Sequence, residues 1–155
     1  MFGKGLKDGI PIGLGYFSVS FSFGILAVSQ GLSWWEAVLI SMANVTSAGQ
    51  FAGLTVMTAA GSFIEMAVTQ FVINLRYALM SISLSQRVEE RFRGIYRAVL
   101  GFGITDEIFA VAMGYSGEVT RKYFAGLIVI PYMGWSAGTL AGAVCGNILP
   151  GIVCD

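Results

Sequence analysis

One uncharged run limits what this chain can fold into. Residues 9–35 contain no Asp, Glu, Lys or Arg, and between Glu36 and Arg87 only Glu65 and Arg76 carry charge. About 20 apolar residues suffice to cross a bilayer as a helix. A soluble domain carries about 25% charged residues, because most of its surface faces water. Here the share is 12%, against 55% hydrophobic residues and a mean hydropathy of +0.74. The chain therefore reads as an all-α, polytopic membrane helix bundle, a single transmembrane domain over residues 1–155. Formal net charge is zero, so nucleic acid has no basic patch to bind.

Five apolar stretches follow, at about 10–30, 34–58, 62–84, 98–115 and 123–148, each long enough for a membrane helix. Trp34 and Trp35 open the second, where amphipathic rings favour the membrane boundary. The strongly polar loop runs from Ser85 to Arg97 and holds Arg87, Glu89, Glu90, Arg91, Arg93 and Arg97. If all five stretches cross, four Lys/Arg fall on each side, and the usual cytoplasmic excess is missing. If 34–58 instead returns to its own side, the count becomes six against two. The middle of that stretch, Asn44-Val45-Thr46-Ser47-Ala48-Gly49-Gln50, is its least apolar part. A broken or re-entrant second element is thus expected, with a plain crossing as the alternative.

Polar side chains inside apolar stretches mark where function would reside, because lipid penalises them. On the third stretch Gln70, Asn74, Tyr77 and Ser81 share one helical face, and Glu65, Thr69, Arg76 and Ser83 another. Arg76 lies eight residues from the stretch's end, about 12 Å along the axis, at the limit of snorkelling. It either holds a carboxylate on another helix or binds an anion. The fourth stretch carries Gly101-Phe102-Gly103-Ile104-Thr105-Asp106-Glu107, two adjacent acids in an apolar run. Asp106, and to a lesser degree Glu107, would bind a proton or an amine, or pair with Arg76. Gly101 and Gly103 would allow close backbone approach or unwinding. Gly134, Gly138, Gly142 and Gly146 stand at successive i+4 positions and predict a tight helix–helix contact. Pro131 is positioned to kink that helix. A short echo links Ser47-x-x-x-Phe51-Ala52 to Thr105-x-x-x-Phe109-Ala110. Cys145 and Cys154 form no CxxC and the chain has no histidine, so neither a metal site nor a cofactor is expected.

Gly24-Ile25-Leu26-Ala27, Gly31-Leu32-Ser33, Ala48-Gly49-Gln50-Phe51-Ala52, Asn74-Leu75-Arg76-Tyr77 and Gly103-Ile104-Thr105-Asp106-Glu107 follow in that order, ahead of Ile148-Leu149-Pro150. In order and spacing the chain resembles the AzlC-like family of bacterial inner-membrane permeases. The resemblance implies proton-driven export of branched-chain or other hydrophobic amino acids, commonly beside a small AzlD-like membrane partner. It also implies a chain continuing past residue 155, and often a histidine where Tyr77 stands. On this reading Arg76, or a half-helix N-terminus near Gly49 and Gln50, takes the substrate carboxylate. Asp106 takes the amine or the proton, Phe51 faces the apolar side chain, and Asn74, Thr105 and Glu107 complete the polar set. A homo-oligomer is compatible with the glycine face. The competing classes are a passive channel component and a non-transporting assembly subunit; no nucleophile–base set suggests an enzyme.

Overall fold

The computed structural model describes residues 1–89 and 94–153. Among them are seven helices: α1 (Phe2–Ser29), α2 (Trp34–Ala43), α3 (Ser47–Thr58), α4 (Phe63–Ser85), α5 (Ile95–Gly101), α6 (Asp106–Gly114) and α7 (Arg121–Val153). Three of these, α1, α4 and α7, are long and apolar enough to cross a membrane. The other four are two broken pairs. The chain divides into two compact units, one of Met1–Leu14 with Leu75–Tyr132, the other of Gly15–Asn74 with Met133–Asp155.

In the second unit, α2 and α3 form the expected broken element, and the break folds the chain back on itself. Gly31, at φ +95°, makes the turn after α1, a backbone shape that favours glycine. Ser33 then starts α2, donating its backbone N–H and its hydroxyl to Glu36 Oε2 at 2.8 and 2.6 Å. Those bonds from the Ser33 side chain and backbone hold the Glu36 carboxyl below its usual range. The helix stops at Asn44, and Asn44 and Thr46 are extended. Asn, Val and Thr are weak helix formers, which fits a break at 44–46. Ser41 on α2 then meets Gln50 on α3, and Ala37 shares a core with Leu54, so the two half-helices run antiparallel.

The first unit corrects one expectation. Stretch 98–115 is not one helix: α5 ends at Gly101, and α6 starts at Asp106 after Thr105 caps it by accepting the Ile108 N–H at 3.4 Å. Gly103 lies so close to the Ile128 side chain that a Cβ would stand 2.6 Å from it. This pair also returns to its starting end. Near the start of α5, Tyr96 lies under the Arg121 guanidinium; just past α6, Tyr115 stacks on Tyr123 at 4.2 Å. Around that end gather Lys4 over the Tyr115 ring, Arg87 donating to the Met113 and Tyr115 carbonyls, and Arg121 paired with Glu89. Because the fourth stretch folds back, Arg121 joins Lys4 and Arg87 at one end. A crossing would have put it opposite. Glu90, Arg91, Arg93 and Cys154 lie outside the described residues.

The glycine row of α7 packs on α1, as its spacing predicts. Gly138 faces Phe17 and Ser20, Gly142 faces the Phe21 backbone, and Gly146 faces Ile25. Gly134, at the head of the row, is only partly buried. In the first unit both helices supply glycines: Gly5 and Gly9 of α1 lie on the Tyr123 and Leu127 carbonyls, and Gly126 of α7 lies on the Phe2 carbonyl. Helix α7 remains helical through Pro131, and Cys145 is an exposed free thiol.

A Cβ at position 142 would collide with the Phe21 carbonyl, which cannot rotate away as a side chain could. Gly142→Ala is expected to cost about 1–3 kcal/mol, as overpacking does, and to lower the thermal midpoint in detergent. An unchanged midpoint would show that α1 and α7 part without cost. The folded-back α2–α3 pair predicts that cysteines placed at Leu32 and Ala60 react with an impermeant maleimide from the same side of the membrane. Reaction from opposite sides would restore a plain crossing.

Candidate functional site

Each broken pair brings its polar residues to the point where the helix stops. At the α2–α3 break the organiser is Gln70 of α4. Its Nε2 donates to the Gly49 carbonyl at 2.8 Å, and its Oε1 accepts from Asn74 Nδ2 at 3.3 Å and Asn44 Nδ2 at 3.4 Å. Gly49 lies in the first turn of α3, where a carbonyl accepts from the residue four on in its own helix, so the Gln70 bond is an additional one that ties α4 to the start of α3. Gly49 leaves room for this: a Cβ there would stand 2.9 Å from Gln70 Oε1 and 2.6 Å from Thr46 Cγ2.

Beside it runs a buried chain of hydrogen bonds with a definite direction. Thr139 Oγ1 donates to the Trp135 carbonyl at 3.2 Å. The 2.6 Å contact between Ser41 Oγ and Thr139 Oγ1 therefore takes its proton from Ser41, and Gln50 Nε2 donates to Ser41 Oγ at 2.6 Å. One Nε2 hydrogen of Gln50 is thus engaged, while its Oε1 is an acceptor without a partner and Thr46 Oγ1 is also buried and unpaired. Gln50 is 1% exposed and Thr46 5%. Each such group costs about 1–3 kcal/mol while unpaired; Gln50 Oε1 can only accept, whereas the Thr46 hydroxyl can donate or accept.

In the first unit, Arg76 Nη1 lies 2.8 Å from Asp106 Oδ2. Arg76 also donates from Nη2 to the Tyr77 hydroxyl at 3.1 Å. Asp106 and Glu107 occupy the first turn of α6, where the helix dipole favours carboxylates. The two paired side chains are 45% and 48% exposed. A cavity of about 420 Å³ in the same unit is lined by Ser81, Leu84, Arg97, Gly101, Ile104 and Phe124.

Of the residues singled out from sequence, Arg76 and Asp106 thus form a pair, with Thr105 as the cap that sets the start of α6 and Glu107 beside it. Asn74 and Gln50 belong to the hydrogen bonds at the first break. Phe51 packs edge-to-face on Phe23 at 5.6 Å, in the apolar core of the second unit. The residues that sequence reasoning left out of the site are Gln70, Ser41, Asn44, Thr46 and Thr139. Gln70 was visible as part of a polar stripe. Ser41 and Thr139 are 98 positions apart, and nothing local signals their contact.

Residues 11–149 match the family model described as AzlC protein. The chain belongs to the AzlC family. This AzlC-family chain is 36% identical over 149 residues to an uncharacterized membrane protein of Archaeoglobus fulgidus, covering 96% of the chain and 64% of that protein. It is 35% identical over 151 residues to the inner membrane protein YgaZ of Escherichia coli, covering 94% of the chain and 61% of that protein. It therefore spans less than two thirds of the length of these relatives. No solved structure matches it.

Gln70→Leu removes the donor to Gly49 and leaves Asn44 and Asn74 without their shared acceptor. The expected loss is about 1–3 kcal/mol, read as a lowered unfolding midpoint and as faster proteolysis around residues 44–49. If protection there is unchanged, the break holds without Gln70.

Proposed function

We propose that this chain forms the substrate-handling part of a secondary transporter that exports branched-chain or other hydrophobic amino acids, coupled to protons. The observation that carries the reading is the half-exposed Arg76–Asp106 pair at the start of a half-helix inside an apolar stretch. An α-amino acid is itself a carboxylate beside an ammonium, the complement of this pair. Arg76 takes the carboxylate in forked hydrogen bonds, and Asp106 takes the ammonium. The substrate thus exchanges one ion pair for two, and the site is never left with an uncompensated charge in an apolar setting. Protonation of Asp106 releases Arg76 when the substrate carboxylate takes the place of the Asp106 charge, which couples a proton to the cycle. Apolar walls around few polar groups suit a small apolar side chain. The N-terminus of α3 near Gly49 and Gln50 is the alternative place for the substrate carboxylate.

The placement of charge supports a multi-pass inner-membrane protein. In the first unit Lys4, Arg87 and Arg121 share one end, the excess expected of a cytoplasmic face. The relative YgaZ bears the name of an inner membrane protein. A small AzlD-like membrane subunit is the expected partner. A second reading rests on the same pair: Arg76–Asp106 as a clamp between α4 and α6 in a subunit that assembles but does not transport.

Asp106→Asn separates the two readings. Leucine efflux driven by a pH gradient is expected to disappear, while leucine counterflow at equal pH falls less and the protein stays monodisperse. Unaltered pH-driven efflux would remove Asp106 from coupling. A variant that aggregates, alongside an equally unstable Arg76→Gln, would favour the clamp.

A further inference from the structure

Helix α4 is nearly uncovered. In its most apolar window 6% of residues are buried, against 39% for α1 and for α7, and Leu84 is its one buried residue. Phe71, Val72, Leu75 and Leu79 are all more than half exposed. Lipid alone is a poor cover for this helix, because Glu65 and the half-exposed Arg76–Asp106 pair share its surface.

The order of elements says what is absent from that surface. A long helix followed by two half-helices occurs as α1, α2, α3 and again as α4, α5, α6; α7 is a third long helix. The spacing is regular. Ala43 and Gly101 end the first half-helices 58 positions apart, and Phe63 and Arg121 begin successive long helices 58 apart. Ser47 and Thr105, the residues of the sequence echo, also stand 58 apart at the second half-helices. Helix α1 is covered in each unit by α7, two periods further on. The pairs Gly5–Tyr123, Gly9–Leu127, Phe17–Gly138 and Phe21–Gly142 are 118 to 121 positions apart, so the two helices run parallel. Helix α4 holds the equivalent place in the second period, and a partner two periods beyond it would begin near position 180.

We propose that the bare face of α4 is the docking surface for a fourth long apolar helix, running parallel to α4 as α7 runs along α1. Length supports this occupant. Four periods of 58 residues make about 230 residues, and 149 residues being 64% of the Archaeoglobus relative gives that protein about the same length. The remaining third of such relatives has room for one pair of half-helices and one further long helix. The surface does not depend on what the protein carries.

Disulfide trapping tests it in two proteins. In the Archaeoglobus relative, cysteines at the positions aligned with Phe71, Leu75 and Leu79 are expected to crosslink within one chain. Their partners should be cysteines about 120 positions further on, with the register advancing in parallel. In the present chain, reconstituted in vesicles, Phe71→Cys and Leu79→Cys should react with a lipid-soluble maleimide and should not crosslink one copy to another. Crosslinks between copies through α4 in either protein would make a second copy the occupant and overturn the proposal. So would α4 cysteines in the relative that stay open to the lipid-soluble reagent and trap nothing.

Discussion

A helix that stops inside an apolar protein leaves backbone groups that water cannot reach, and these must find partners in the protein. At the second break a side chain meets this requirement, and at both breaks side chains tie a half-helix to α4. At the first break Gln70 supplies a donor to the Gly49 carbonyl and gathers Asn44 and Asn74. At the second, Thr105 caps the new helix and Asp106 pairs with Arg76. Nearly every polar residue inside the apolar stretches that looked functional in the sequence turns out to serve one of these two breaks. Structural demand and the proposed chemistry therefore share the same atoms. Breaks that need polar groups for stability are also the places where a small zwitterion can find complementary groups.

The long helices make such breaks tolerable. Small residues let α1 and α7 approach closely enough for backbone to touch side chain or backbone along both units. In lipid this contact is driven by packing rather than by hydrophobic burial. A glycine row thus serves as framework, and the short, polar, interrupted helices are held against it. The Ser41–Thr139 contact belongs to the same arrangement, since it ties α2 directly to α7.

Much of this was legible before any coordinates. Period and composition marked the five apolar stretches, and the i+4 glycines marked the α7 face. The least apolar patch of the second stretch, Asn44 to Gln50, marked the first break. The second break was harder to see. Gly101 and Gly103 permit unwinding but also occur in continuous membrane helices, and Phe102 and Ile104 give no signal of an end. Charge counting offered a further clue. Folding back only the second stretch still left Arg121 opposite the other basic residues, and folding back the fourth removes that conflict.

The sequence by itself determined the class of protein, the five apolar stretches and the polar residues within them, because hydropathy and helical period are local properties. Tertiary structure decided which of those residues meet. Arg76 and Asp106 are 30 positions apart, and either could have paired elsewhere or bound an anion or an amine alone. Gln50 donates to Ser41, and Ser41 in turn meets Thr139 across 98 positions of chain. Hydrogen-bond direction is a property of a closed network in three dimensions, and no segment of the chain contains it.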